Sequence, residues 1–154
     1  MNELYTLLPL EIREELSRYE ERAVIPAGAK LLSQGAAVEH LIIIEQGSAG
    51  VSVAAEEYTI ALGFAGKGRV LGLRSILSGA LAEIDAAALE PCIISRISKR
   101  DFKTALQRYP AMYFAIAKLL SLDLNAAERC LREAPRVFTR KRNAFARPRT
   151  SSGA

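Results

Sequence analysis

Few side chains in this sequence can do chemistry, and they are scattered. His40 is the one histidine, and Cys92 and Cys130 are the two thiols. An iron–sulfur cluster needs about four thiolates, so two cysteines 38 positions apart cannot hold one within a single chain. They are expected to be small buried hydrophobes. His40 opens the apolar run Leu41–Ile44 and reads as a strand-edge residue rather than a haem ligand. A Ser-His-Asp triad would have to use it, and no Gly-x-Ser-x-Gly elbow exists.

The glycines at Gly63, Gly66 and Gly68, with Lys67, invite a nucleotide-loop reading, which fails on spacing. A Walker loop needs glycine where Ala61 stands and Ser or Thr where Gly68 stands. A dinucleotide fingerprint needs its third glycine at Leu71, and Gly72 comes one residue late. The three glycines are read as turn formers. Glu56-Glu57 is a solvated turn pair. Glu83 and Asp85, two apart, would share one face of a strand and line a rim or face water. No catalytic residue, metal site or cofactor is expected, and the chain is not read as an enzyme.

The elements that carry these residues are legible from period and punctuation. Leu8, Ile12, Leu16 and Tyr19 form one apolar stripe, which predicts an amphipathic helix with Pro9 at its start. From residue 22 the pattern changes to short apolar runs at Ala23–Ile25, Leu31–Leu32, Leu41–Glu45, Gly50–Ala54, Tyr58–Leu62, Ile84–Leu89 and Cys92–Ile97. Turn residues such as Pro26-Ala27-Gly28, Gln34-Gly35 and Glu90-Pro91 stand between them. Short strands at this spacing predict a sandwich or barrel of roughly eight strands. The run Leu41–Ile44 predicts a strand buried on both faces, and Val51 and Val53 about Ser52 a half-wet one.

Gly72 to Leu77 interrupts the strands and predicts one short helical turn ended by Ser78-Gly79. Ser98-Lys99-Arg100-Asp101 predicts a helix N-terminus, with the helix stopping before Pro110. A longer helix then runs from Pro110 to about Glu133. It carries two apolar seams: Tyr113, Ile116, Leu120, Leu124, Ala127 and Leu131, and Met112, Ala115, Leu119, Leu122, Ala126 and Cys130. One seam docks the helix on its own domain. A second seam implies a second helix, most simply that of another copy.

The chain has 154 residues, half of them apolar and a quarter charged, which supports one domain with a real core. Its charge is unevenly placed. Residues 134–154 hold Arg136, Arg140, Lys141, Arg142, Arg147 and Arg149 with no acid; residues 1–133 carry a net of −2. The basic stretch, with Pro135, Pro148 and few large apolar residues, is expected to be disordered. Arg140, Lys141 and Arg142 are its candidate nucleic-acid contacts. The Met1-Asn2-Glu3 start lacks a signal-peptide layout, and no apolar run approaches the ~20 residues that span a bilayer. A cytoplasmic setting without membrane contact is expected.

Several stretches together resemble the sensory half of CRP/FNR-type bacterial transcription regulators, a cyclic-nucleotide-binding domain. Pro26-Ala27-Gly28 with Leu32-Ser33-Gln34-Gly35 is similar to that family's opening strands and turn. Ile44-Glu45-Gln46-Gly47-Ser48-Ala49-Gly50-Val51 resembles its glycine-containing hairpin. Gly68-Arg69-Val70-Leu71-Gly72-Leu73 stands where the family reads G-d-x-x-G-e. Ala88-Leu89-Glu90-Pro91-Cys92 and Ile97-Ser98-Lys99-Arg100-Asp101-Phe102 resemble its last strand and following helix. The resemblance implies a mainly β fold with flanking helices: a single barrel or jelly roll, an N-terminal helix and a long C-terminal dimer helix over residues 109–133. It covers about residues 5–133.

Two departures shape the functional expectation. In the family's cyclic-nucleotide binders a Glu after the second glycine holds the ribose hydroxyl, and a later Arg pairs with the cyclic phosphate. Here those positions fall at Leu73 and near Ala82-Glu83-Ile84, with no Arg between Arg74 and Arg96. A carboxylate beside a phosphate repels it, so cAMP and cGMP are not the expected ligands. The degenerate pocket residues are Gly72, Leu73, Arg74, Ser75 and Glu83. The 21 residues after Glu133 also lack the paired helices that read a DNA groove. The expectation is a non-enzymatic sensor module acting through a homodimer, or a heterodimer with a related regulator, under an unidentified small effector. The alternatives are a regulator touching DNA through its basic tail and a non-functional remnant of a regulator. The dimer residues are Tyr113, Ile116, Leu120, Leu124 and Ala127.

Overall fold

The computed structural model describes residues 2–121 and 138–140. The strands are β1 (Glu21–Ile25), β2 (Lys30–Leu32), β3 (His40–Gln46), β4 (Ala49–Ala55), β5 (Tyr58–Ala65), β6 (Val70–Leu71), β7 (Asp85–Ala88), β8 (Cys92–Ser98) and β9 (Phe138–Arg140). They form two antiparallel sheets, ordered β1-β8-β3-β6 and β2-β7-β4-β5-β9. The helices are α1 (Leu10–Ser17), α2 (Leu73–Ser78) and α3 (Lys99–Arg108), and residues 112–121 form α4. This is the jelly-roll-like architecture that the family resemblance implies, and the strand spacing predicts its packed sheets.

The core follows from a size difference between the sheets. Strand β3 buries Leu41, Ile42, Ile43 and Ile44 in succession, as a strand covered on both faces must. The second sheet buries small residues: Ala49, Ala65, Ala86 and Ala88. Large side chains on one side thus fill the room left by alanines on the other, which is how dense packing is reached. Backbone hydrogen bonds tie the loops across: Gly28 N–H to Ala88 O at 2.7 Å, Gly35 N–H to Ala82 O at 2.8 Å and Ala82 N–H to Ala36 O at 2.8 Å. The Gln34 side chain clips onto β4, accepting from Ala54 N–H at 2.7 Å and donating to Ala54 O at 3.1 Å.

The helices close the ends. Ser98 caps α3, its Oγ accepting from Asp101 N–H at 3.1 Å. Phe102, Ala105 and Leu106 form the buried face of α3, which ends before Pro110. Helix α1 buries Ile12, Glu15 and Leu16. Glu15 is held at the α1–α3 junction by Arg108 at 2.6 Å and by the Tyr109 hydroxyl at 3.0 Å. The hydrogen bond from Arg108 lowers the Glu15 carboxyl below its ordinary value, with Tyr109 adding to it. Among the described residues no helix is long and apolar enough to cross a membrane.

Three details differ from the sequence expectations. Gly63 is not a turn former. It lies inside β5 at φ +141°, where the register with β4 slips between Val51–Gly63 and Ser52–Ala61. Glycine relieves the unusual backbone of this bulge. Val51, Ser52 and Val53 are all half-buried, so the wet-dry alternation expected of β4 is absent. The basic stretch contributes β9, whose Phe138, Thr139 and Arg140 pair with Ile60, Thr59 and Tyr58. β9 adds to the outer edge of β5, and Phe-Thr is a strand-prone pair. Leu124, Ala127, Lys141, Arg142 and Cys130 lie outside the described residues.

Candidate functional site

The site is assembled around Gly72. Strand β6 runs into this glycine at φ +87°, and a Cβ here would lie 2.9 Å from Val38 Cγ1 and 3.2 Å from His40 O. Only glycine permits both the left-handed backbone and the close approach to β3. The chain then turns into α2, which buries Leu73 and Ile76 and ends on Gly79 at φ +75°, whose N–H bonds Ser75 O at 2.8 Å. Residues 80–84 then lead to β7, with Ala82, Glu83 and Ile84 bordering the site's cavity.

Between β4, β5, β6 and α2 lies a cavity of about 600 Å³. It is within the size range of small-molecule sites. Gly72, Leu73, Arg74, Ser75 and Glu83 all border it, as do Val51 and Leu62 from the second sheet. Sequence reasoning did not place Arg69, Phe64 or Leu120 in this wall. Phe64 is 78% exposed on β5, opposite Gly50 in the register. Leu120 comes from α4, so the cavity wall includes the helix that follows the sheets.

Leu73 is 5% exposed and belongs to the core, and Ala82 is also buried. Glu83 is exposed at the rim and pairs with Arg74, Nη1 to Oε2, at 3.1 Å. Asp85 does not join it as a second acid. Glu83 precedes the strand, and Asp85 on β7 accepts from Gln34 N–H at 2.9 Å and from Lys30 Nζ at 3.2 Å. The Gln34 hydrogen bond, then Lys30, holds the Asp85 carboxyl below its ordinary value. Arg69 lies 3.5 Å from Glu3, whose carboxylate also accepts from Val70 N–H at 2.8 Å. Among the described residues no group of three or more His, Cys, Asp or Glu is arranged to hold a metal ion.

His40 is half-buried as the first residue of β3, opposite Ser98. Cys92 is a free thiol at 0% exposure, bonded to Glu90 O at 3.2 Å; a Cβ on Gly47 would lie 2.7 Å from its Sγ. On α4, Met112, Ala115, Ile116 and Leu119 are buried in the chain's own core. Tyr113 is 53% exposed, Phe114 84%, and Leu120 is half-buried. Ile116 therefore joins the inner seam rather than the outer one. A helix period of 3.6 puts it next to Met112 and Leu119, on the side facing the sheets. Arg140 lies on β9, opposite Tyr58.

Comparison with known proteins agrees with this geometry. The chain is similar in structure to the catabolite activator protein of Thermus thermophilus, with a TM-score of 0.73 and 22% identity over 84% of this chain and 62% of that one. It is similar to the c-di-GMP responsive global regulator CLP of Xanthomonas campestris, with a TM-score of 0.68 and 18% identity over 90% of this chain and 66% of that one. The sensor domain of the transcriptional regulator DNR from Pseudomonas aeruginosa superimposes with a TM-score of 0.65 and 17% identity, covering 80% of this chain and 88% of that domain. The chain thus spans less than two thirds of the Thermus protein and most of an isolated sensor domain. No curated protein sequence matches it. The family model of the cyclic nucleotide-binding domain matches residues 22–109, more than half of the chain. With the two sheets, the glycine turn at Gly72 and the short helix behind it, that match places the chain in the cyclic nucleotide-binding domain family.

Proposed function

We propose that this domain is a regulatory sensor whose pocket has lost the grip on a cyclic nucleotide and which signals through α4. The observation that carries this reading is the replacement of the gripping groups. By the resemblance of Gly68–Leu73 to the family's motif, the buried Leu73 takes the place of the ribose-holding acid, and that of the phosphate-holding guanidinium falls near Ala82-Glu83-Ile84. A cyclic phosphate entering here would lose a charge-assisted contact and gain a carboxylate neighbour. Arg74, the nearest guanidinium of α2, is already paired with that carboxylate.

The route from pocket to output is α4. Leu120 borders the cavity, while Tyr113 and Phe114 project from the same helix into solvent. Exposed aromatics on a helix already docked by its other face favour pairing with a second helix. Occupation of the cavity would then bias the pose of α4 and of the dimer it forms, by differential affinity for the two poses. Calorimetric titration of the purified chain with cAMP and cGMP tests the pocket, and sedimentation equilibrium tests the pairing. The reading expects no heat from either nucleotide at micromolar protein and a reversible dimer; nucleotide binding with a monomer at every concentration overturns it.

A further inference from the structure

We propose that the cavity beneath α2 takes an uncharged, mainly apolar small molecule, and that Glu83 sets this selectivity. The proposal deepens the sensor reading and rests on it. The wall supplies Val51, Leu62, Leu71, Leu73, Ile84 and Leu120 as apolar surface. Its polar side chains are already engaged within the protein. Arg74 pairs with Glu83 at 3.1 Å, Arg69 with Glu3 at 3.5 Å, and Ser75 Oγ donates to Leu81 O at 3.4 Å.

An anion would have to draw Arg74 away from Glu83 and would still face the Glu83 carboxylate in the cavity lining. A cation would compete with Arg74 for that carboxylate and meet the guanidinium of Arg69, which also lines the cavity. A neutral molecule disturbs neither pair and gains by covering apolar wall. About 600 Å³ is room for a compact organic molecule rather than a single water.

The occupant is therefore a small neutral molecule. The test uses the intact 154-residue chain and the neutral fluorophore N-phenyl-1-naphthylamine, displaced by 1-decanol or by decanoate at pH 7.5. We expect saturable 1:1 binding of the fluorophore and displacement by decanol at least tenfold better than by decanoate. I84W and V51W, made separately to fill the cavity from two sides, should each lower fluorophore affinity at least tenfold while melting cooperatively. E83R should bring decanoate to within threefold of decanol, because two guanidinium groups then face the opening. That last result separates charge selection from the greater water affinity of a carboxylate. Absence of saturable binding, equal displacement in the unaltered chain, or a preference unmoved by E83R overturns the proposal. In those cases, silence toward cAMP in calorimetry leaves the sensor reading standing. Displacement of the fluorophore by micromolar cAMP overturns both.

Discussion

Arg74 Nη1 and Glu83 Oε2, both in the lining of the cavity, lie 3.1 Å apart, so this pocket cation spends its charge on a neighbour. Both side chains are largely exposed, and such pairs contribute about 0–1 kcal/mol to stability. E83Q should therefore leave the melting midpoint almost unchanged. A loss larger than about 1 kcal/mol in urea denaturation would mean that the pair holds the fold together rather than governing the opening.

Gly72 is the position at which the pocket is most easily broken. G72A forces a left-handed backbone on alanine, costing about 1–2 kcal/mol, and drives its Cβ to 2.9 Å from Val38. We expect destabilisation of about 2 kcal/mol or more, read from urea denaturation. G28A meets open space at φ +88° and should lose only the backbone part.

Acid should weaken the α1–α3 junction. Arg108 holds the Glu15 carboxyl below its ordinary value of 4.5, and Gln34 N–H holds Asp85 below 3.8. A carboxylate with a depressed folded value contributes stability that is present above the unfolded value and is lost as pH falls through the folded one. Thermal stability should thus hold down to about pH 4.5 and fall at more acid values. E15Q removes one of these groups and should make the acid limb shallower while lowering stability at neutral pH. An unchanged acid limb contradicts the assignment.

On α4 the two faces predict opposite phenotypes. Y113D and F114D alter exposed residues, so each should weaken self-association at least tenfold in sedimentation with little effect on melting. I116A opens a hole at a residue 2% exposed and should cost about 2–5 kcal/mol of folding stability. Dissociation by I116A without loss of stability would place Ile116 in an interface instead.

Much of the scaffold is legible in the residue order. The doubly buried β3 shows in four successive aliphatics, the N-cap of α3 in Ser98 and Asp101, and α2 in the glycines that bracket it. These are local signals, set by period, capping and backbone freedom. What escaped the sequence depends on register and on distance. Gly63 looks like a turn glycine until the slip between β4 and β5 makes it a bulge. Strand β6 is two residues long and exists through its partner β3. The Arg74–Glu83 pair requires the path of residues 79–83, and the place of Leu120 in the cavity wall requires the angle at which α4 leaves α3. Neither path nor angle is encoded in spacing alone. Ile116 was assigned to the outer seam because two seams one residue apart are nearly equivalent on a helix until one side is packed.

The direct trial of the account is calorimetry of cAMP and cGMP against the unaltered chain. The proposed reading, with Leu73 buried in the core and Glu83 paired to Arg74 in the pocket lining, predicts no measurable heat with protein at tens of micromolar. Stoichiometric binding of either nucleotide with a micromolar dissociation constant would contradict it.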